Sequence, residues 1–183
     1  VTPEEIADLL EVSGRAFVGT LQALPPEGAA WRPAEGEWCV NECVGHVIEA
    51  EKRGFAGRIR SMLGAENPSL EGWDQGAVAK ARRDCERKPQ DLLAEFEPLR
   101  RESVELVRSL KPEQLTRPGS HPKVGHLTVA EILHEWVHHD DNHLRQALAN
   151  VQAYVWSRMG NAQNFSAKSR SQLTDSALDG LAE

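Results

Sequence analysis

The residues best placed to do chemistry in this 183-residue chain are its seven histidines. Six lie between His121 and His143, and His46 stands apart. Two pairs have the i, i+4 spacing that puts both rings on one side of a helix. His134-Glu135-Trp136-Val137-His138 matches H-E-x-x-H, in which two His one turn apart hold zinc while the Glu activates water. His139 and His143 make the second pair. The two pairs cannot face one point, so helix phase must choose between them.

With about 100° per residue and Ile132 at zero, Val129, Ile132, Leu133, Trp136, Val137, Leu144, Ala147 and Val151 fall roughly between 0° and 140°. His143 falls at about 20°, inside this apolar sector, and His139 at about 340°, on its border. His134 and His138 fall at about 200° and about 240°, beside Glu131, Asp141, Asn142 and Arg145, on the face that water solvates. The protease-like pair is therefore expected to point outward, and His139 and His143 inward or to a cleft edge.

Two imidazoles facing a bundle interior are costly unless paired. Either each finds its own backbone or side-chain partner, or they share a metal, which needs a third ligand. His46 shares its helix face with Cys43, Ala50, Gly54 and Gly57 rather than with the main apolar stripe, and periodicity leaves it between ligand and surface. Cys43, one turn before His46, is a fourth ligand or small packing, and packing is the simpler reading. Asp140, at about 80°, sits amid the apolar sector and must have a partner. A structural bond to a loop or an Arg ranks above a role in orienting a liganding imidazole. Glu49 and Glu51 flank His46 as ligand or base candidates, although glutamates on helices are usually solvated. The five tryptophans are most simply core and cleft walls.

Helices must position these groups. Thr2-Pro3-Glu4-Glu5 is a capping box with Pro at the first helical position, and the helical spacing after it stops at Pro25-Pro26. A second helix starts near Trp38 to Asn41 and runs to about Leu63, with an apolar stripe of Val44, Val47, Ile48, Phe55, Ile59 and Met62. Ala65 to about Pro89 reads as a long polar crossover holding one short helix. A third helix runs from Pro89 to Lys111-Pro112. A loop with Pro118, Gly119, Pro122 and Gly125 follows. Thr128-Val129-Ala130-Glu131, a second capping box, opens a fourth helix to about Asn150. Strand-like alternation is absent. The expectation is an all-α four-helix bundle over residues 1–165, with a long crossover between its second and third helices and a polar tail over 166–183.

The net charge of −7 argues against a nucleic-acid partner, and no apolar run is long enough for a transmembrane helix. Three unpatterned cysteines make no disulfide framework. With no basic-then-apolar leader pattern, the cytoplasm is the expected compartment.

Glu37-Trp38-Cys39-Val40-Asn41-Glu42-Cys43-Val44-Gly45-His46 resembles the segment of the DinB-like family that carries its first metal histidine. His139-Asp140-Asp141-Asn142-His143-Leu144-Arg145-Gln146 resembles the family's H-D-x-x-H-x-x-Q segment, which carries the other two. Trp73-Asp74-Gln75 and Trp156-Ser157-Arg158-Met159-Gly160 also resemble family features. Cys39 departs from the usual Ser or Thr after the Trp, and Leu144-Arg145 from a commoner Arg-Gly pair. The resemblance implies a DinB/YfiT-like four-helix bundle with a divalent metal (zinc, nickel or iron) on His46, His139 and His143. It implies a thiol S-transferase or hydrolase that activates a water or a low-molecular-weight thiol against a small-molecule substrate. A homodimer is the expected assembly. The alternative is a non-catalytic, stress-related metal-binding bundle.

Overall fold

The structure, a computed structural model, describes residues 1–166. The tail expected over 166–183 falls, beyond Ser166, outside the described residues. Four long helical rods form the bundle. The first is α1 (Pro3–Ala23), followed by a single turn, α2 (Pro26–Ala29). The second rod is α3 (Val40–Glu49), a π-helical segment (Ala50–Phe55) and α4 (Ala56–Gly64). The third is α6 (Pro89–Arg108) and the fourth α7 (Val129–Trp156). α1 packs along α6 and α7, and α3 packs on α6 and α7.

Both expected capping boxes form. Thr2 Oγ1 accepts the Glu5 N–H at 3.2 Å, and a Glu5 carboxylate oxygen accepts the Thr2 N–H at 2.7 Å. Thr128 and Glu131 repeat this at the start of α7. α7 continues past Asn150 to Trp156. The crossover carries α5 (Gln75–Arg82). Its charged end is anchored on α3 and α6: Arg82 donates to Glu49, Asp84 and Glu95, and Arg87 to Asp84 and Glu95. Asp84 presses on α3 at Gly45, where a Cβ would collide with its carboxylate.

The core has two apolar parts. One gathers Ile6, Leu10, Ile59, Met62, Val107 and Trp136; the other Phe17, Leu21, Val44, Ile48, Leu92 and Phe96. Between them lies a polar layer with one contribution from every rod: Ser13, Glu51, Arg100 and Asp140. Arg100 Nε donates to Glu51 at 3.1 Å. Its Nη1 donates to Asp140 Oδ2 at 2.6 Å and to the Leu10 carbonyl at 2.7 Å. Ser13 Oγ donates to Asp140 Oδ2 at 2.7 Å. The expectation of a solvated Glu51 is overturned, since it is fully buried. A buried carboxylate survives only when paired, and the guanidinium that pairs it comes from another helix, out of reach of any local pattern.

The loop expected around Pro118–Gly125 contains a short antiparallel hairpin, β1 (Pro118–His121) and β2 (Gly125–Thr128). The crossover adds to its edge: Leu70 N–H donates to the Ser120 carbonyl at 2.8 Å and Ser120 N–H to the Pro68 carbonyl at 2.9 Å. Four-residue strands rich in Pro and Gly are too short to show alternation.

Candidate metal centre

α7 emerges from the core with the phase expected of it. His134 and His138 are exposed, whereas His139 and His143 are partly buried at the bundle mouth. α3 delivers His46, buried, to the same point. The ring nitrogens of His46, His139 and His143 offer ligand atoms within 4.8 Å of one another. His46 Nε2 and His139 Nε2 face each other at 2.9 Å.

The ring of His143 is oriented by Gln146, whose Oε1 lies 3.0 Å from His143 Nδ1. An amide oxygen only accepts, so Nδ1 carries the proton and Nε2 keeps its lone pair. Gln146 is the last residue of the H-D-x-x-H-x-x-Q segment, and its i, i+3 spacing from His143 accounts for the contact. Aromatic rings wall the cluster. Trp38 lies 5.0 Å from the His46 ring and stacks on His143 at 6.0 Å. Trp73, from the crossover, stacks on His46 at 5.7 Å, and Phe55 meets His139 edge-on at 5.0 Å. Asn150 Nδ2 holds the Trp38 carbonyl at 2.7 Å.

Burial in this apolar box, reinforced by the neighbouring rings, pushes His46 down to about 3. Burial, with His143 and Arg100 adding to it, does the same for His139. Burial also lowers His143, with Gln146 opposing. Three neutral imidazoles with converging ring nitrogens and no carboxylate among them fit a divalent ion of borderline softness.

The other candidates separate from this point. Asp140 is tied to Arg100 and Ser13 in the interior layer, the structural partnership that ranked first. Both oxygens of Glu49 are taken, Oε1 by Arg82 at 2.7 Å and Oε2 by Arg53 at 2.6 Å, so it is no free base. Cys43 packs in the apolar core, where burial pushes its thiol up to about 12. Cys39, Glu42 and Cys85 form a second close group. Burial raises the Cys39 thiol strongly and Glu42 is paired with Arg32, so that group is a poorer ion site.

Fold and site together define a class: a four-helix bundle whose second and fourth rods present three histidines in an aromatic-walled mouth. The chain belongs to the DinB superfamily, whose family model matches residues 9–147. Its fold is similar to that of YfiT from Bacillus subtilis, described as a probable metal-dependent hydrolase with an unusual four-helix bundle topology. That match has a TM-score of 0.74 and 20% identity, over 86% of this chain and 87% of that one. TT2238, described as a four-helix bundle protein, matches with a TM-score of 0.59 and 22% identity, over 81% of this chain and 99% of that one. No curated protein matches the sequence. No helix among the described residues is long and apolar enough to cross a membrane.

Proposed function

We propose that the protein is a divalent-metal-dependent enzyme, with the ion held by His46, His139 and His143, acting on a small electrophilic substrate with a water or a low-molecular-weight thiol as nucleophile. The observation that carries this reading is the approach of His46 and His139 through their Nε2 atoms, with His143 turned to join them by Gln146. Three neutral imidazoles leave a divalent ion its charge and an open position, the combination that acidifies a water or a thiol. Zinc, nickel and ferrous iron all suit the set.

The chain's own residues supply the rest. Trp38, Phe55 and Trp73 exclude bulk water from the cluster and give an apolar wall for a substrate body. A cleft of about 930 Å³ opens beside His139, a size that suits a small molecule. The Arg100–Asp140 pair fixes α7 at the residue next to His139, so the ring arrives at a set height and azimuth.

Elemental mass spectrometry on untagged protein tests the reading. About one ion per chain is expected in the wild type and in His138→Ala, and none in His46→Ala, His139→Ala or His143→Ala. Absence of metal after incubation with zinc, nickel and iron overturns it. With the site established, thiol-transfer and hydrolase assays separate the two nucleophiles.

A further inference from the structure

The cleft beside His139 runs on to polar side chains that the reading above leaves unused. Arg58, His121 and Lys123 line this far part, with Asp74 and Glu135 as the acids on its wall. Asp74 is committed as the N-cap of α5, accepting the Ala77 N–H at 3.0 Å. Glu135 lies 4.0 Å from His138 on the exposed side of α7. Arg58 is different. Acids outnumber Lys and Arg 28 to 21 in this chain, yet Arg58 has no carboxylate partner among the described residues. Its Nη2 donates to the Glu71 carbonyl at 2.9 Å, and its buried Nε has no partner among the described residues.

The same Nη2 lies 3.1 Å from His121 Nε2. On the other side of that ring, the backbone N–H groups of Lys123 and Val124 both point at Nδ1, at 3.3 Å. A neutral imidazole has one acceptor and one donor nitrogen. If Nδ1 accepts from the turn, Nε2 carries the proton and faces an arginine N–H, donor against donor. The other tautomer moves the conflict to the turn, and the imidazolium conflicts on both sides. An acceptor that bridges Nε2 and Nη2 from the cleft side gives both donors a partner, and beside a guanidinium with spare donors the favoured acceptor is an oxyanion.

The π-helical segment puts this group on the right side of its rod. Arg58 is twelve residues beyond His46, which in a straight α-helix leaves the two about 120° apart. The extra residue absorbed by Ala50–Phe55 removes about 100° of that, so both side chains turn to the cleft side.

We propose that Arg58 and His121 form the anion-recognising end of this cleft, so that the substrate is a small molecule carrying a carboxylate or similar oxyanion away from its reacting bond. This rests on the cleft being the substrate site of the three-histidine centre, and the test separates the two. Acetate and inorganic phosphate are titrated into ¹⁵N-labelled protein, with acetamide as the neutral control. The Lys123 and Val124 amides and the Trp73 indole N–H are followed by NMR.

At least one anion is expected to give saturating shifts at these three groups, and acetamide none. Arg58→Gln is expected to weaken the anion about tenfold or more, as loss of a charge-assisted bond should, and His121→Asn to weaken it by a smaller factor. His46→Ala is expected to lose metal and keep anion binding. Shifts that fail to saturate, or anion affinities unchanged in both Arg58→Gln and His121→Asn, overturn the proposal whatever the metal content. Saturating, Arg58-dependent shifts in a protein that binds no metal uphold the anion site and sink only the metal reading.

Discussion

Gln146 Oε1 lies 3.0 Å from His143 Nδ1, one turn along the same helix, and this contact decides which nitrogen of His143 faces His46 and His139. The amide removes the choice of tautomer at this ring. Among the described residues His139 has no such partner for its buried Nδ1. Of the two rings that α7 contributes, His143 is the one held by a side-chain partner. Gln146→Leu is expected to weaken metal binding about 10–100-fold, the usual effect of losing a group that orients a ligand. Gln146→Glu, which keeps an acceptor in place, is expected to bind more tightly than Gln146→Leu. Competition with a chromophoric chelator measures both.

The interior layer of Glu51, Arg100 and Asp140 has two acids and one base, all buried. Removing the base leaves two uncompensated carboxylates, so Arg100→Met is expected to destabilise by about 3–5 kcal/mol. Asp140→Asn leaves a balanced Glu51–Arg100 pair and is expected to cost less. Urea unfolding at neutral pH orders the two, and the reverse order would mean that Asp140 carries the pairing alone.

Gly57 closes the π-helical segment from its far side. A Cβ there would run into the Lys52 carbonyl oxygen, which the widened turn pushes toward it. Gly57→Ala is expected to cost about 1–3 kcal/mol as an overpacked position. Gly64→Ala, where a Cβ meets open space, serves as the control. Thermal melts of the two variants make the comparison.

Burial pushes the Glu95 carboxyl up, but hydrogen bonds from Arg82, Lys52 and Arg87 outweigh it and hold the group well below its ordinary 4.5. Glu49, on the same Arg82, is lowered as well, with burial opposing Arg53 and Arg82. A carboxyl whose folded value is depressed gives stability that is fully present above the unfolded value. That stability drains away as pH falls from about 4.5 through the lower folded value. The crossover anchor is thus expected to weaken below about pH 4.5 and to be insensitive to pH between about 6 and 8 as far as these groups go. Arg82→Met is expected to flatten the acid limb of stability against pH. An unchanged limb would place the acid-sensitive pairing elsewhere.

Much of the architecture was legible in the chain because its causes are local. Both capping boxes fix helix starts through residues three apart. The phase of α7 alone separated His139 and His143 from His134 and His138, since all four ride one rigid helix. The buried stripe of the second rod, Val44 to Met62, was read in the same way. Other features depend on where one rod sits against another. Periodicity left His46 between ligand and surface, and only the family resemblance named it, because its role follows from the azimuth of α3 relative to α7. Glu51 looked like a solvated helix glutamate until Arg100, 49 residues away, supplied its partner. The hairpin strands were too short for a periodic signal, and the π-helical turn leaves none. Arg58 and His121, 63 residues apart, belong to different elements and meet only because the crossover and the hairpin pair at their edges. Sequence by itself determined the rods and which face of each is apolar, because those follow from short-range spacing. The convergence of three imidazoles, and the meeting of Arg58 with His121, was decided by tertiary packing, because directional polar contacts between distant segments exist only once the apolar faces have been buried.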